Sequence, residues 1–400
     1  MTNQTPAAAD PTELRATMVR AMREQNSITT PAVEDAFTSV PRHLFAPGAD
    51  LAVVYDLHRT VRVTADENGL ELSVMSAAHL QGVMLEQLAV EPGMSVLEIG
   101  SGGVNAAYLQ HLVGEQGQVT TVDIDPVVIA QARACLDEAG YTTVTTVVAD
   151  AQTGLPDEGL YDRIIVTVEA WSIPEAWFDR LKPNGRIVVP LSMRGTTRSI
   201  AFDRDGQQLT SRSYALAVFV PMQGAGVAQV RKAMIRDGIA VQSDDPRVTL
   251  DPPALDKALD SPRTVLWSGA AYDLPDELDL YLSLNLPRVA RLHADQSVID
   301  AGVVEPSARL GVAALVSTDS IAYRTRRENP ELGGFESGVV AHGPDADTLA
   351  EQYADALRTW ADNHRQRGAA HFTYLPGAVP EPLPPHAVSR NDGAVIAHWH

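Results

Sequence analysis

Ser95-Val96-Leu97-Glu98-Ile99-Gly100-Ser101-Gly102-Gly103 is the stretch that decides the fold. A short apolar strand runs into a glycine-rich turn, and a helix follows through Leu109 and Leu112. Downstream the pattern repeats. A strand covers 118–123, and a helix over 126–139 stops at Gly140. The next strand, 144–148, reaches Asp150. A strand over 162–167, a helix over 174–181 and a strand over 186–190 complete the series. Strands alternating with helices predict a parallel sheet covered on both faces. Right-handed crossovers make it doubly wound, an α/β Rossmann-like domain.

In such a sheet, ligands bind beyond the carboxyl ends of the strands, where the strand order reverses. Gly100 and Gly102 let backbone approach a ligand where a Cβ would intrude. A glycine turn alone also serves a purely structural purpose. Asp123 closes the second strand, and its carboxylate can accept two hydrogen bonds from a ribose diol. The dinucleotide fingerprint needs a further glycine where this chain has Asn105, and the loop has no P-loop lysine. Asp150 closes the third strand, placed to accept from an adenine amino group. Either acid alone could be a strand-end turn residue. Together with the glycine loop they fit an adenosine carrying an amino-acid arm, which is S-adenosylmethionine. The contacts expected for it are Glu98, Gly100, Ser101, Gly102, Asp123, Ile124, Asp150, Ala151 and Thr167.

Outward from this centre, residues 11–25 carry Leu14, Met18 and Met22 at helical spacing. A second helix is expected over 31–39 with Thr30 as its cap. A third, over 76–90, places Leu80, Val83, Met84 and Leu88 on one face. After residue 222 the alternation fades. A short helix through Leu278, Leu282 and Leu286 ends at Pro287. Two strands joined by a turn are expected over 309–323, and a strand over 335–341. A long helix over 345–367 follows, then a Pro-rich linker or strap over 376–385. The division read from this is an N-terminal helical, substrate-side segment (1–75), the nucleotide-type domain (76–224) and a C-terminal α+β module (225–400) that recognises the substrate.

The net charge of −20 argues against general nucleic-acid binding, because an acidic surface repels phosphate backbones. No run of 18 apolar residues predicts a membrane span, and the residues from Met1 to Pro6 show no secretory pattern. The single cysteine, Cys135, excludes an internal disulfide framework and suits a reducing cytoplasm. His398 and His400 lack an acid or thiol partner, so no metal is expected.

Several separated motifs resemble one family. Val40-Pro41-Arg42-His43-Leu44-Phe45-Ala46-Pro47 is similar to the VPRxxFVP signature of the protein-L-isoaspartate O-methyltransferases. Residues 97–102 resemble their LEIGTG motif, and 161–167 their FDxIIVT strand. Ile173-Pro174, 181–186 and Val189-Pro190 resemble the ending iP…QLKPGGRLVxPvG. The family's TISQP serine falls on Ser76, but the following Gln-Pro is Ala77-Ala78. The glycine loop is one residue shorter than GTGSGY. A long C-terminal module also sets the chain apart from the family's repair enzymes, which are little more than the methyltransferase domain. LEIGSGG…VTTVDIDP with this extension looks like the "FxLD system" methyltransferases of lanthipeptide and related peptide gene clusters.

What the resemblance implies is methylation of an aspartate side chain in a ribosomally made precursor peptide, already cyclised. The ester would then collapse to aspartimide, with isoaspartate as its hydrolysis product. Family-type repair of isoaspartate is the alternative, and a non-catalytic binding module that only escorts a precursor is a third reading. Ser76 is the residue expected to hold the acceptor carboxylate, with a helix N-cap as its rival role. Tyr55, His79 and Glu169 are the candidate substrate contacts. Packing rivals a pocket role for Tyr55, and a surface or half-buried position rivals it for His79.

Overall fold

The computed structural model describes residues 10–65, 71–155, 159–228, 230–274, 276–308, 311–377 and 382–399. Residues 1–9, positions 309–310, part of the Pro-rich run (378–381) and His400 lie outside the described residues, so the expectations placed there are not addressed.

The strand–turn–helix series forms as expected. Strand Ser95–Ile99 lies between Gln118–Asp123 and Tyr161–Val166, parallel to both. Thr145–Val148 borders the first neighbour, and Leu181–Met193 borders the second. The chain thus moves outward on one side of Ser95–Ile99, then returns to the other. That reversal makes its carboxyl end the switch point.

Beyond Leu181–Met193 the sheet turns antiparallel. Thr196–Asp205 and Gln208–Leu216 form a hairpin that the sequence reading did not anticipate. Asp205-Gly206, with Gly206 at φ +61°, is the hairpin turn signal that marks it. The next neighbour is His371–Pro376, followed by Gly393–His398 and Ala387–Arg390. So the last strands of the chain complete the first sheet. The division at residue 225 assigned them to the C-terminal module instead. Strand partners more than 150 residues apart leave no local pattern to read.

The intervening residues build a separate antiparallel sheet. Its order runs from edge strand Arg231–Arg236 through Ile239–Ser243, Val289–Ala294, Val312–Val316, Ile321–Asn329 and Gly334–His342 to Thr264–Ala271. The expected long helix is Ala346–Asn363; it packs Leu349, Tyr353, Leu357 and Trp360 inward against this sheet. The chain is therefore an α/β methyltransferase-type fold with an additional strand-rich C-terminal region.

The first sheet has two apolar faces because strand side chains alternate. Leu97, Ile99, Ile164, Val166, Ile187 and Val189 face a core shared with Ala346–Asn363. Val96, Ile165 and Val188 face the N-terminal helices. There Pro11–Glu24 buries Met18 and Met22. Pro31–Ser39 starts at its expected cap, with Thr30 accepting from the Val33 N–H. Phe37 stacks on Tyr108 at 4.2 Å. The N-terminal segment is thus packed onto the sheet that carries the switch point. Cys135 is buried in helix Pro126–Glu138.

Candidate functional site

At the switch point the chain leaves Ser95–Ile99 through Gly100, whose φ is +92°. A Cβ there would sit 2.8 Å from the Thr167 hydroxyl, which donates to the Gly100 carbonyl. Glycine is required by the protein itself at this position. Gly102 differs. Its φ is not positive, and a Cβ would meet nothing within 4 Å. The fold does not demand glycine there, so the space its missing Cβ leaves belongs to whatever occupies the crevice.

Two contiguous hollows form the crevice, one of about 590 Å³ and one of about 460 Å³, sharing Gly100, Asp123, Val168 and Val220. The first is lined by Ser76, Glu98, Ser101, Gly102, Asn105 and Thr167, among others. The second is lined by Ile124, Asp150, Ala151 and Met222, among others. Every residue expected to contact the cofactor, and Ser76, lines one or both.

Glu98 is fully buried, and burial pushes its carboxyl up from 4.5 to about 7. The sheet register places it beside Thr121, whose hydroxyl donates to it at 2.6 Å and opposes that rise. Its other oxygen, Oε1, makes no well-formed hydrogen bond, although Asn105 lies close enough to help hold the carboxyl down, and Ser101 Oγ has no partner. Buried polar atoms are normally paired, so these under-satisfied groups in one hollow mark a polar ligand's place. Asp123 accepts from the Ser101 and Asp125 N–H groups, both at 2.9 Å. Burial raises its pKa, and those two bonds oppose the rise. A carboxylate offers about four acceptor positions, so capacity remains for a ligand hydroxyl. Asp150 accepts from the N–H groups of Gln152 and Ala225, each at 3.0 Å. That second bond draws the turn Gly224–Gly226 across the end of the crevice.

Among the described residues lining both hollows, the titratable groups are Glu98, Asp123 and Asp150, with no Arg, Lys, His or Cys. Three acids and no base suit a ligand bearing positive charge and exclude a pyrophosphate. S-adenosylmethionine carries a sulfonium and an α-ammonium, and the residues present fit it. Glu98 Oε1 would face the ammonium, Ser101 and Asn105 the carboxylate, Asp123 the ribose, and Ile124, Ala151 and Met222 the adenine. Among the described residues, no group of three or more His, Cys, Asp or Glu is placed to hold a metal. No helix among them is long and apolar enough to cross a membrane.

Three expected substrate contacts are not in the crevice lining. Tyr55 is buried among the N-terminal helices, its hydroxyl 2.7 Å from His43 Nδ1. Packing, its rival role, accounts for it. His79 turns to the Leu57 carbonyl at 3.0 Å and lies against His58, with ring centroids 4.7 Å apart. Burial lowers its pKa. Glu169 follows Val168, which does line the crevice, but its own side chain is buried away from that lining. It meets the Ser192 and Thr197 hydroxyls, and burial raises its pKa.

Arg42, Gln81 and Asn105 are site residues that sequence reasoning missed. Arg42, from the VPRHLF segment, is fully buried. It donates to the Val54 carbonyl at 2.9 Å, the Ser76 carbonyl at 2.6 Å and the Gln81 side-chain oxygen. Its cation thus sits behind Ser76 and fixes both crevice residues. Ser76 does not cap the following helix, whose N-cap is Ala77. The signal for Gln81 was its place one helical turn beyond Ala77-Ala78; for Asn105 it was the first turn after the glycines.

Comparison with known proteins agrees with this geometry. The sequence model of the family described as "Protein-L-isoaspartate(D-aspartate) O-methyltransferase (PCMT)" matches residues 13–226. A protein-L-isoaspartate O-methyltransferase of Methanococcoides burtonii is 35% identical over 208 residues, covering 52% of this chain and 98% of the relative. One from Thermotoga maritima is 34% identical over 172 residues, covering 42% of this chain and 53% of the relative. A solved structure described as a protein-L-isoaspartate O-methyltransferase superposes with a TM-score of 0.52 at 18% identity, covering 96% of this chain and 99% of that one. Its coverage extends over the C-terminal region, so that region does not by itself separate this chain from proteins so described. The crevice and these matches together make the chain an S-adenosylmethionine-dependent carboxyl O-methyltransferase that belongs to the protein-L-isoaspartate O-methyltransferase family.

Proposed function

We propose that the chain methylates the side-chain carboxylate of an aspartate in a ribosomally made precursor peptide. The observation that carries the choice of a carboxyl acceptor is a described lining with no histidine, lysine or cysteine, in which Glu98, the group raised to about 7, is the one that would face the cofactor's ammonium rather than the acceptor. An aspartate, with a reference pKa of about 3.9, is already ionised at neutral pH and needs no proton removed. Hydroxyl or amine acceptors would need a base, and the described lining has no histidine to serve.

S-adenosylmethionine supplies an electrophilic methyl on a sulfonium. The acceptor carboxylate oxygen would receive that methyl, the electron pair of the broken S–CH3 bond staying on sulfur. The protein contributes alignment, which can be worth roughly 7–11 kcal/mol. Ser76 holds the acceptor carboxylate. Arg42 behind it offsets the repulsion that Asp123 and Asp150 exert on an incoming anion. Methylation removes the charge, so the next residue's amide nitrogen attacks the ester carbonyl and closes the aspartimide, its proton and the methoxide leaving together as methanol.

Ala77-Ala78 in place of Gln-Pro and the shortened loop support the precursor reading over general repair. Full-length likeness to a structure described as an isoaspartate methyltransferase favours the repair reading as the second. Two peptides separate them, one with an isoaspartyl residue and one a cyclised precursor with an ordinary aspartate. Gain of about 14 Da and then loss of about 32 Da on the aspartyl peptide, read by mass spectrometry, is expected. Turnover of the isoaspartyl peptide alone would overturn the first reading.

A further inference from the structure

A larger cleft, of about 1280 Å³, opens beside the adenine end of the crevice and faces solvent. Two sheet edges flank it. Ala387–Arg390 is the edge strand of the first sheet, and Arg231–Arg236 is the edge strand of the second. Ser389 and Arg390 line it from one side, and Val230 and Arg231 from the other. Exposed strand edges present backbone donors and acceptors that an extended chain can match.

Inside the cleft, Arg390 lies over the Trp171 ring at 3.6 Å and pairs with Asp244 at 3.1 Å. Both side chains are more than nine-tenths buried, at 8% and 3% exposed. Even so, Arg390 Nε and Asp244 Oδ1 have no hydrogen-bond partner. One is a donor and the other an acceptor, carried by the two partners of one ion pair and closed to solvent until that pair shifts. A peptide unit, with one C=O and one N–H, complements such a pair.

The cleft is tied to the crevice. Asp392 accepts from Ser172 Oγ at 2.6 Å and from Gln152 Nε2 at 3.0 Å. Gln152 in turn donates its N–H to Asp150. The strap between the two spaces carries no charged residue from Ser213 to Val230, in a chain of net charge −20. It exposes Leu216 (61%), Val218 (84%), Val227 (56%) and Val230 (45%). Phe219 and Val220 from the same strap line the crevice. Apolar side chains clustered on one exposed strip mark an interaction surface.

We infer that this strap and the cleft at its far end are the docking track for an extended segment of the substrate polypeptide, with Arg390 and Asp244 clamping its main chain. The inference rests on the polypeptide-substrate reading above and names where that chain runs. An extended chain advances about 3.3 Å per residue, so a long substrate can reach both spaces at once.

The test uses two fluorescein-labelled synthetic peptides with one aspartate each. One has about six residues; the other adds about fourteen uncharged residues, each worth about 3.3 Å of reach. Anisotropy is read on the full chain loaded with S-adenosylhomocysteine. The long peptide is expected to bind about tenfold or more tighter than the short one. Val218→Glu combined with Val230→Glu should abolish that advantage and leave the short peptide and S-adenosylhomocysteine affinities unchanged. Both valines are exposed, so folding is preserved, and thermal melting checks it. Arg390→Lys, which keeps a cation but removes the Nε donor, should weaken the long peptide alone. Equal binding of the two peptides, no binding of the long one, or indifference to the double variant overturns the track. Methyl transfer, measured separately, decides the proposed function: long-peptide binding through the track without turnover sinks that function and leaves the track standing.

Discussion

Glu98→Gln is the substitution that most directly weighs the electrostatics of the crevice. Burial moves the Glu98 carboxyl from 4.5 to about 7. The folded protein therefore holds a proton that the unfolded chain releases between those values. Stability contributed by this group is full below about pH 4.5 and is lost as pH rises through about 7. Each pKa unit is about 1.4 kcal/mol, so the loss is about 3 kcal/mol above pH 7. The group is fully buried, so solvent screening does not reduce this. Glutamine keeps the acceptor for Thr121 and cannot ionise. The variant should match the wild type near pH 4 and exceed it by about 3 kcal/mol at pH 8, a shift of roughly 1 M in the urea midpoint. The same change should weaken S-adenosylmethionine binding at pH 8 by about tenfold or more, since the partner of the α-ammonium is gone. Proton release on cofactor binding near pH 6.5, read by calorimetry in buffers of different ionisation heat, should vanish in the variant. A stability difference that does not change between pH 4 and pH 8 refutes the reasoning.

Further expectations follow from neighbouring residues. Gly102→Ala should leave the melting temperature within about 2 °C of wild type, because its Cβ meets no protein atom, while cofactor affinity measured by calorimetry falls about tenfold. Arg42→Met leaves two buried acceptors unpaired, and a third that is half-buried and can turn to water, at roughly 1–3 kcal/mol for each buried one, so urea unfolding should show a loss of about 2–6 kcal/mol. Arg42→Lys should recover part of that stability, with KM for the peptide still raised. Ser76→Ala should lower kcat/KM in a methyl-transfer assay by about 10–100-fold and leave S-adenosylhomocysteine affinity unchanged.

The local parts of this fold were legible in the residues. Strands Ser95–Ile99 and Gln118–Asp123 fall where their apolar runs and closing acids place them, and Pro31–Ser39 starts at its Thr cap. These are short-range signals: periodicity, capping and glycine turns. The placement of His371–Pro376 beside Gln208–Leu216 was not legible, since only tertiary packing brings those strands together. The residues named for the cofactor all line the crevice, because strand ends carry them to the switch point. Tyr55, His79 and Glu169 lie outside the described crevice lining, because proximity in sequence does not fix direction. Each lies near the crevice along the chain but turns to a local partner, respectively His43, the Leu57 carbonyl and the Ser192–Thr197 hydroxyls. Arg42 was quoted as part of a motif, yet nothing in its spacing said that its guanidinium would end beneath Ser76.

The return of the last strands to the first sheet bears on how the protein is made. Strand Gln208–Leu216 leaves the ribosome well before its neighbour His371–Pro376, with residues 217–370 still to come. At roughly 5–20 residues per second, that interval lasts about 8–30 s. Throughout it the strand has one open edge, a template for pairing with another chain. The second sheet is synthesised inside this interval, so its folding sets how long the edge waits. Overexpression and slow translation are thus the conditions in which nascent chains would aggregate through this strand. A fragment that stops at residue 226, where the family match ends, would keep the edge open permanently.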